Sequence, residues 1–364
     1  MLLSSNTNVA VDRVLENLLE KGFTQFVRIG NKKRVAKGIL PHTTAPTASI
    51  SGGSSGSGKR NSGGGAKSAS DQSQAQDLPT LSTSRIVGAT CLATLGDALD
   101  HERFGVVILD ECSQLTEPLS LLPQRFGVRH LICVGDPRQL PPTLESDPSH
   151  PDHLEKTLFE RLERAGCPVA VLDAQYRCHP SISRISNTLF YDSRLVDGDP
   201  DGATSRVAVP GLPPVAIIDT AAAGNGAAAT EAYVPRARTY INVAEANEVV
   251  RAYHVLTRGL GVRPGDIGII ALYRGQADRI RSMLAAASVP TNEDTTNVTV
   301  VSTVDAFQGQ EKSIVLVSTV RTAKLGTFAA DARRLNVMLT RARAHLLVFG
   351  HARLLATAEI WRRI

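Results

Sequence analysis

The chain opens with a short polar loop and then "VAVDRVLENLLEKGF", whose apolar residues recur at helical spacing, followed by a strand at "FVRIG". From Thr43 to about Ser84 this periodicity dissolves into Gly, Ser, Ala and Thr, as in "SGGSSGSGKRNSGGGAKSAS". So few large apolar side chains cannot offset the entropy of ordering a chain, and the tract is expected to be a disordered linker or insertion. Beyond Arg85 short apolar runs alternate with helical stretches: "RIVGATCL", "FGVVILDE", "HLICVGD" and "PVAVLDAQ" read as strands. A Gly/Ala-rich loop spans about Ala221 to Thr230. A second set of strands then comprises "PPVAIID", "DIGIIAL", "VTVVSTV", "SIVLVSTV" and "HLLVFGH", with helices starting near Val243, Gln276 and Arg333.

This alternation predicts an α/β fold of two similar lobes, each with a parallel sheet: residues 1–172 with the insertion at 43–84, and residues 173–364. A chain of 364 residues with 42% hydrophobic content has room for two such cores. A cleft between two lobes of this kind is a natural nucleotide site.

Charge narrows the partners. The formal net charge is +5, and from Val301 onward ten Lys or Arg stand against four Asp or Glu. That basic third suits phosphate contacts. The five cysteines are scattered with no C-x-x-C pair, which argues against a zinc site and for free thiols in a reducing compartment. No apolar run reaches membrane-spanning length and the N-terminus has no signal-peptide pattern, so an intracellular protein is expected.

Five stretches carry candidate chemistry. In "VVILDECSQLTEPLSLLP" a buried-type strand ends in adjacent acids, Asp110 and Glu111, with Gln114 just beyond. Ligands of parallel sheets sit past the carboxyl ends of strands. An Asp there suits Mg²⁺ on nucleotide phosphates, and a neighbouring Glu suits activation of the attacking water. An acidic helix cap is the competing reading of the pair alone. "CVGDPRQLPPTL" repeats the strand–acid–Gln layout with Asp136 and Gln139, whose loop is stiffened by prolines. "AQYRCHP" places Arg177 after a strand, where a guanidinium can meet charge developing on a γ-phosphate. "STVDAFQGQEKSIVLVSTVR" supplies Ser302 and Thr303, Gly309 for close backbone approach, and Glu311 as an acceptor for ribose hydroxyls. "RRLNVMLTRARAHLLVFG" is read as a helix bearing Arg341 and Arg343.

In this order and spacing the five stretches resemble the superfamily 1B helicases, the group of the nonsense-mediated-decay RNA helicase. The resemblance is strongest to a DNA helicase of that group that carries a GRF-type zinc finger. It also rests on "SNTNVAVDRVLENLLEKGFTQFVRIGNKKRVAKGILPH" and "AQYRCHPSISRISNTLFY", and covers nearly the whole chain apart from the Gly/Ser tract and the loop near Ala221. It implies a P-loop NTPase helicase core of two RecA-like lobes, using ATP and Mg²⁺ to move along single-stranded nucleic acid, most simply 5′-to-3′ on DNA in repair or recombination in the nucleus. On that reading Asp110 holds Mg²⁺, Glu111 activates water and Gln114 assists at the phosphates. Gln139 senses the γ-phosphate, and Arg177 and Arg341 are arginine fingers. Gly309 and Glu311 lie at the nucleotide with Tyr176 near the base, while Ser5, Asn6, Asn8, Thr90, Ser302 and Thr303 contact nucleic acid.

Two departures qualify that implication. The phosphate-binding signature G-x-x-x-x-G-K-[ST] does not occur; the single Gly-Lys pair, in "GSGKR", lies inside the Gly/Ser tract with Arg where Ser or Thr belongs. The tract itself stands where the family carries a small helical insertion. The sequence is therefore expected to be part of a larger helicase or a truncated gene model, with an incomplete first lobe. The rival is a catalytically inactive module that binds nucleic acid or a partner. DNA versus RNA is not legible in the residues.

Overall fold

The structure is a computed structural model, and it describes residues 1–45, 80–144, 155–198, 209–221, 230–287 and 298–364. Most of the expected disordered tract, residues 46–79, and the loop at 222–229 lie outside the described residues. The chain divides into two compact units, Met1–Pro137 with Pro141–Cys167, and Arg138–Leu140 with Pro168–Ile364.

The first unit is built on a six-stranded sheet. Its strands are β1 (Leu2–Ser5), β2 (Phe26–Ile29), β3 (Thr43–Thr44), β4 (Ile86–Thr90), β5 (Val106–Leu109) and β6 (His130–Cys133). They run in the order β3-β2-β4-β1-β5-β6, and every pairing is parallel. The expected polar loop at the start is thus β1, a fully buried strand near the middle of the sheet. β3 likewise puts the first two residues of the expected tract into the sheet, through Arg28↔Thr43. At the other margin β6 is an edge strand, with Ile132 and the following Val134 48% and 42% exposed.

The helix Asn8–Glu20 starts at Thr7, whose side chain accepts from the Ala10 amide at 3.2 Å. It sets Val11 and Leu15 against the sheet, where Gly88 leaves no room for a Cβ: one would stand 2.8 Å from Leu15 Cδ1. Fully buried Arg28 of β2 fastens this helix from below. Its Nε donates to Asp12 Oδ1 at 2.6 Å and its Nη2 to Asn8 Oδ1 at 2.8 Å, while Asp12 Oδ2 accepts from the Ala36 amide at 2.8 Å. A buried charge pair of this sort is costly to break from one side, because the surviving charge stays desolvated.

The second unit has a five-stranded sheet of β9 (Val215–Asp219), β12 (Ile267–Ala271), β13 (Val300–Thr303), β14 (Lys312–Ser318) and β15 (Ala342–Gly350). Their order is β13-β12-β14-β15-β9, again all parallel. Two small pairs stand apart, the parallel β7 (Ala174–Gln175) with β8 (Val196–Asp197) and the antiparallel ribbon β10 (Ala232–Val234) with β11 (Thr239–Ile241). Apolar faces on both sides of the five-stranded sheet are covered, one by helices such as Val243–His254 and Arg274–Ala286, the other by Pro180–Phe190 and Ala332–Leu339. The strand expected at "PVAVLDAQ" forms only at Ala174–Gln175. Val169, Val171 and Leu172 are 52%, 62% and 87% exposed, in a stretch that pairs with no strand among the described residues.

A fully buried carboxylate organises the end of β14. Glu245 Oε1 accepts from Ser318 Oγ at 2.6 Å and from the Val320 amide at 2.8 Å, and Oε2 accepts from Thr220 Oγ1 at 3.3 Å. Asn242 caps the same helix through its side chain, and Gln276 joins it to Ser318 Oγ at 3.0 Å. Val320 itself sits at φ 74, a left-handed conformation that strains a β-branched residue and persists only where its surroundings insist on it. Burial pushes the Glu245 carboxyl up to about 7, against the pull of the Ser318, Val320 and Thr220 bonds. Folding therefore takes up a proton between the ordinary carboxylate range and about 7. The stability this group confers is full below its unfolded value and is lost as pH rises through about 7. Glu245→Gln keeps an acceptor for Ser318 and Val320 and removes the titration. We expect its thermal midpoint to be nearly level between pH 5 and pH 8, where the parent loses on the order of a few kcal/mol from this group; parallel pH slopes for the two proteins would contradict this.

Candidate functional site

In the first unit the carboxyl ends of β1, β4 and β5 lie side by side. Ser5 pairs with Thr90 and Ser4 with Leu109, and the Asp110 amide donates to the Ser4 carbonyl at 2.8 Å. Three predicted residues, Ser5, Thr90 and Asp110, therefore share one edge. Burial raises the Asp110 carboxyl pKa, partly offset by a bond from the Glu111 amide and by the charge of Arg13.

Glu111 takes a left-handed backbone, φ 52, which turns the chain sharply out of the strand. Gln114 Nε2 donates to Glu111 Oε2 at 2.6 Å, so these two predicted site residues meet, a contact the sequence did not suggest. The neighbouring turn after β6 packs closely on this one. The Cys112 amide donates to the Val134 carbonyl at 2.8 Å, and the Asp136 amide to Ser113 Oγ at 3.1 Å. A hydrogen bond shared with Cys133, reinforced by burial, pushes the Cys112 thiol up, and the same bond pushes the Cys133 thiol down against the effect of its burial, a coupling the sequence did not suggest.

A divalent cation fits this edge on one count: Asp110 is a carboxylate whose burial is not fully compensated within the protein. Among the described residues no group of three or more His, Cys, Asp or Glu is arranged to hold a metal by itself. Mg²⁺ bound chiefly by nucleotide phosphates needs only one or two carboxylates from the protein.

The second unit gathers another set. Gln175 Oε1 accepts from the amides of Arg177 and Cys178 at 3.0 and 2.9 Å, and the His179 amide donates to the Arg343 carbonyl at 2.7 Å. This turn aims Arg177 at Glu311, Nε to Oε2 at 2.5 Å, and Arg343 Nε reaches Glu311 Oε1 at 3.0 Å. Glu311 thus stands between two guanidiniums that are 37% and 48% exposed. Arg343 is on β15 and Arg341 in the turn before it, since the helix expected over this stretch ends at Leu339. Arg341 is buried: its Nε donates to the Val337 carbonyl at 3.0 Å and Nη2 to Thr340 Oγ1 at 3.0 Å. A finger role for Arg341 requires exchanging those bonds.

Tyr176 is 60% exposed and its ring lies over Gly198, where a Cβ would come within 2.4 Å of Cε1. Gly309 adopts φ +78 on an exposed turn. Gln139 is half-buried, and Arg138–Leu140 pack with the second unit, where Leu140 joins its core and Asn336 Nδ2 donates to the Arg138 carbonyl at 2.9 Å.

The predicted nucleic-acid contacts divide by accessibility. Asn6 is exposed, and Ser5 Oγ is buried with no hydrogen-bond partner. The side-chain oxygen of Asn8 is committed to Arg28. Thr90 Oγ1 accepts from the Ala93 amide at 3.3 Å. Ser302 and Thr303 end β13, beside Ala271 at the end of β12, with Ser302 nearly buried and Thr303 half-buried. Sequence reasoning left Gln175 out of the site, and it noted Arg343 only as a neighbour of Arg341.

Two parallel-sheet units bearing these turns match known families. Residues 154–353 match one AAA-domain family and residues 60–147 another. The chain belongs to the AAA-domain helicases of superfamily 1B. It is similar to the 5'-3' DNA helicase ZGRF1 of Mus musculus, 40% identical over 381 residues, covering 100% of this chain and 19% of that protein. It is also similar to Helicase SEN1 of Saccharomyces cerevisiae, at 35% over 293 residues (78% of this chain, 13% of that one). The DNA replication ATP-dependent helicase/nuclease DNA2 of Bos taurus is 31% identical over 373 residues, covering 96% of this chain and 32% of its own. The chain thus spans a third or less of each relative. No helix among the described residues is long and apolar enough to cross a membrane.

The close approach of the two turns in the first unit is testable at Gly135. A Cβ there would stand 2.8 Å from the Ser113 amide nitrogen and 3.2 Å from that of Cys112, backbone atoms that cannot swing aside. Gly135→Ala should destabilise the first unit by about 1–3 kcal/mol, read as a lower urea midpoint; an unchanged midpoint would show that the turns are not in contact.

Proposed function

We propose that this chain is the motor part of an ATP-dependent helicase that moves 5′-to-3′ on single-stranded DNA, in repair or recombination within the nucleus. The observation that carries the reading is the end of β5, where a desolvated Asp110 and a strained Glu111 tied to Gln114 meet one sheet edge. Asp110 is the residue suited to Mg²⁺. Mg²⁺ held there would supply charge neutralisation on the phosphates. Glu111 accepts the proton of the attacking water, and Gln114 holds its carboxylate in place. In the second unit Arg177 supplies positive charge for the γ-phosphate, Glu311 orients Arg177 and accepts from the ribose, and Tyr176 offers a ring to the base. Gln139 and Arg341 are proposed as γ-phosphate sensor and second finger. Ser5, Asn6, Asn8, Thr90, Ser302 and Thr303 are proposed to bind the strand through its backbone, which carries little base specificity.

A second reading, nucleic-acid binding without turnover, is favoured by one observation: these 364 residues contain no G-x-x-x-x-G-K-[ST]. That sequence supplies the amides and the Lys that stabilise the β- and γ-phosphates, and electrostatic stabilisation is most of phosphoryl-transfer catalysis. We therefore expect the purified chain to bind single-stranded DNA with an affinity that falls steeply with salt and to release no phosphate on adding DNA. DNA-stimulated phosphate release from this chain would point to a phosphate site elsewhere in it.

When the chain is joined to a phosphate-binding loop of its own family, Glu111→Gln should abolish hydrolysis while ATP still binds, and near-normal turnover would end the assignment. Under the same conditions Arg177→Ala should lower kcat by on the order of 10³. A loss of only a few-fold would return Arg177 to a structural partner of Glu311.

A further inference from the structure

Aromatic residues make up 4% of this chain, yet three of its six tyrosines stand together. Tyr233 and Tyr240 face each other across the β10–β11 ribbon with ring centroids 5.1 Å apart, and Tyr240 meets Tyr273 edge-on at 5.4 Å. Arg321 lies over the Tyr240 ring at 4.0 Å and 5.9 Å from that of Tyr273. Tyr273 in turn neighbours Phe328 at 5.8 Å. Core packing does not account for the outermost ring, because Tyr233 is 51% exposed.

An isolated two-stranded ribbon is marginal in water, so this one must be held from beneath. Arg321 pairs with Glu231 at 2.9 Å, the Glu231 amide donates to Thr322 Oγ1 at 3.0 Å, and the Ala323 amide donates to Glu231 Oε2 at 3.2 Å. On the other side the Gly275 amide donates to Thr239 Oγ1 at 3.1 Å. Gly275 admits that approach only because it has no Cβ, which would fall 2.4 Å from Thr239 Cγ2. The strained turn at Val320, held by Glu245, delivers Arg321 to this place. An exposed ring is therefore fixed on a preorganised base, which lowers the entropy lost when something stacks on it.

Charge selects the occupant. Arg236 and Arg238 in the ribbon's turn, Arg274 at the start of its helix and Lys324 are all exposed, while the acid of the ribbon, Glu231, is taken up by Arg321. Asp278, on the helix that begins at Arg274, lies 4.0 Å from Arg274 in an exposed pair, which is worth little in water. Tyr273 and Arg321 follow the carboxyl ends of β12 and β14, the same sheet edge at which β13 ends in Ser302 and Thr303. Flat rings interleaved with cations, on the edge that already presents hydroxyls, match unpaired bases on a phosphate backbone.

We infer that Tyr233 is the outer ring of a base-stacking platform for single-stranded nucleic acid, supported by Tyr240, Arg321 and Tyr273, with Arg236 and Arg238 placed for the phosphates. The inference rests on the nucleic-acid-binding reading above and adds a contact with the bases to the proposed contacts with the backbone.

The test measures fluorescence anisotropy of a labelled oligothymidylate and of an abasic oligomer of equal length, each titrated with the 364-residue chain. Tyr233→Ala should weaken oligothymidylate binding about tenfold and leave the abasic oligomer unaffected, which also shows that the variant is folded. Tyr233→Phe should bind like the parent, whereas Tyr233→Leu, apolar but without a π-face, should behave like the alanine variant. The salt slope should stay unchanged in all three, since no phosphate contact is removed. Equal oligothymidylate affinity for parent and Tyr233→Ala, or equal losses on both oligomers, would overturn the platform and leave nucleic-acid binding standing. A parent chain that binds neither oligomer would overturn both.

Discussion

A parallel sheet sends the carboxyl end of every strand to one edge, and the chain must turn there without a neighbouring strand to satisfy its backbone. Both units of this protein meet that constraint, and their chemistry follows from how they meet it. In the first, the Asp110 amide reaches back to the Ser4 carbonyl and the Cys112 amide to Val134, so the turn that carries the acids is made from borrowed backbone bonds. In the second, the turn after β14 keeps one strand bond, from the Thr319 amide to the Phe349 carbonyl of β15, and from there a buried carboxylate takes over, accepting from Ser318 Oγ and the Val320 amide. Each solution leaves a residue in the left-handed region, Glu111 in one and Val320 in the other. Strain of this kind costs about 1–3 kcal/mol and survives only where the surroundings over-determine it. Among the left-handed residues outside glycine, these two directly follow the carboxyl ends of parallel-sheet strands.

Buried charge is used in two ways. Arg28 and Asp12 are sealed together and satisfied on nearly every side, a fastening between helix and sheet. Glu311 is different: it is largely buried but holds two arginines that are both open to solvent. Removing either arginine leaves the other in place, so the group can exchange partners, as the ribose contact proposed for it would require. Arg341, surrounded by its own loop's oxygens, belongs with the fastenings in this arrangement.

What was legible in the sequence follows from how local each signal is. β5, β12 and β14 are continuous apolar runs and were read as strands, and the acids after β5 fell where parallel-sheet logic put them. β1 escaped because it is four residues long and half of them are serine; only the surrounding strands make Ser4 and Ser5 interior residues. "PVAVLDAQ" erred in the opposite direction, an apolar run that over most of its length pairs with no strand among the described residues. The helix assigned to Arg341 and Arg343 failed at its boundary, since alternation from Ala342 is a strand signal that a long basic stretch disguised. Contacts across long separations were beyond reach: Arg177 and Arg343 find Glu311 across 134 and 32 residues, respectively, and nothing in their spacing announces it.

The aromatic ribbon shows what such distant contacts add. β10 and β11 are three residues each, too short for any periodic signal, and their tyrosines gain meaning only beside Arg321 and Tyr273. Hydroxyls and arginines at a sheet edge grip a phosphate backbone with a strength that salt erodes, and they register nothing about whether bases are stacked or free. A ring can stack on a base only where that base is unpaired and turned outward. A motor that must distinguish a single strand from a duplex therefore needs at least one contact of the second kind. The second unit spends a buried carboxylate, a strained valine and an ion pair on holding one exposed tyrosine still, an arrangement that a core-packing role would not require.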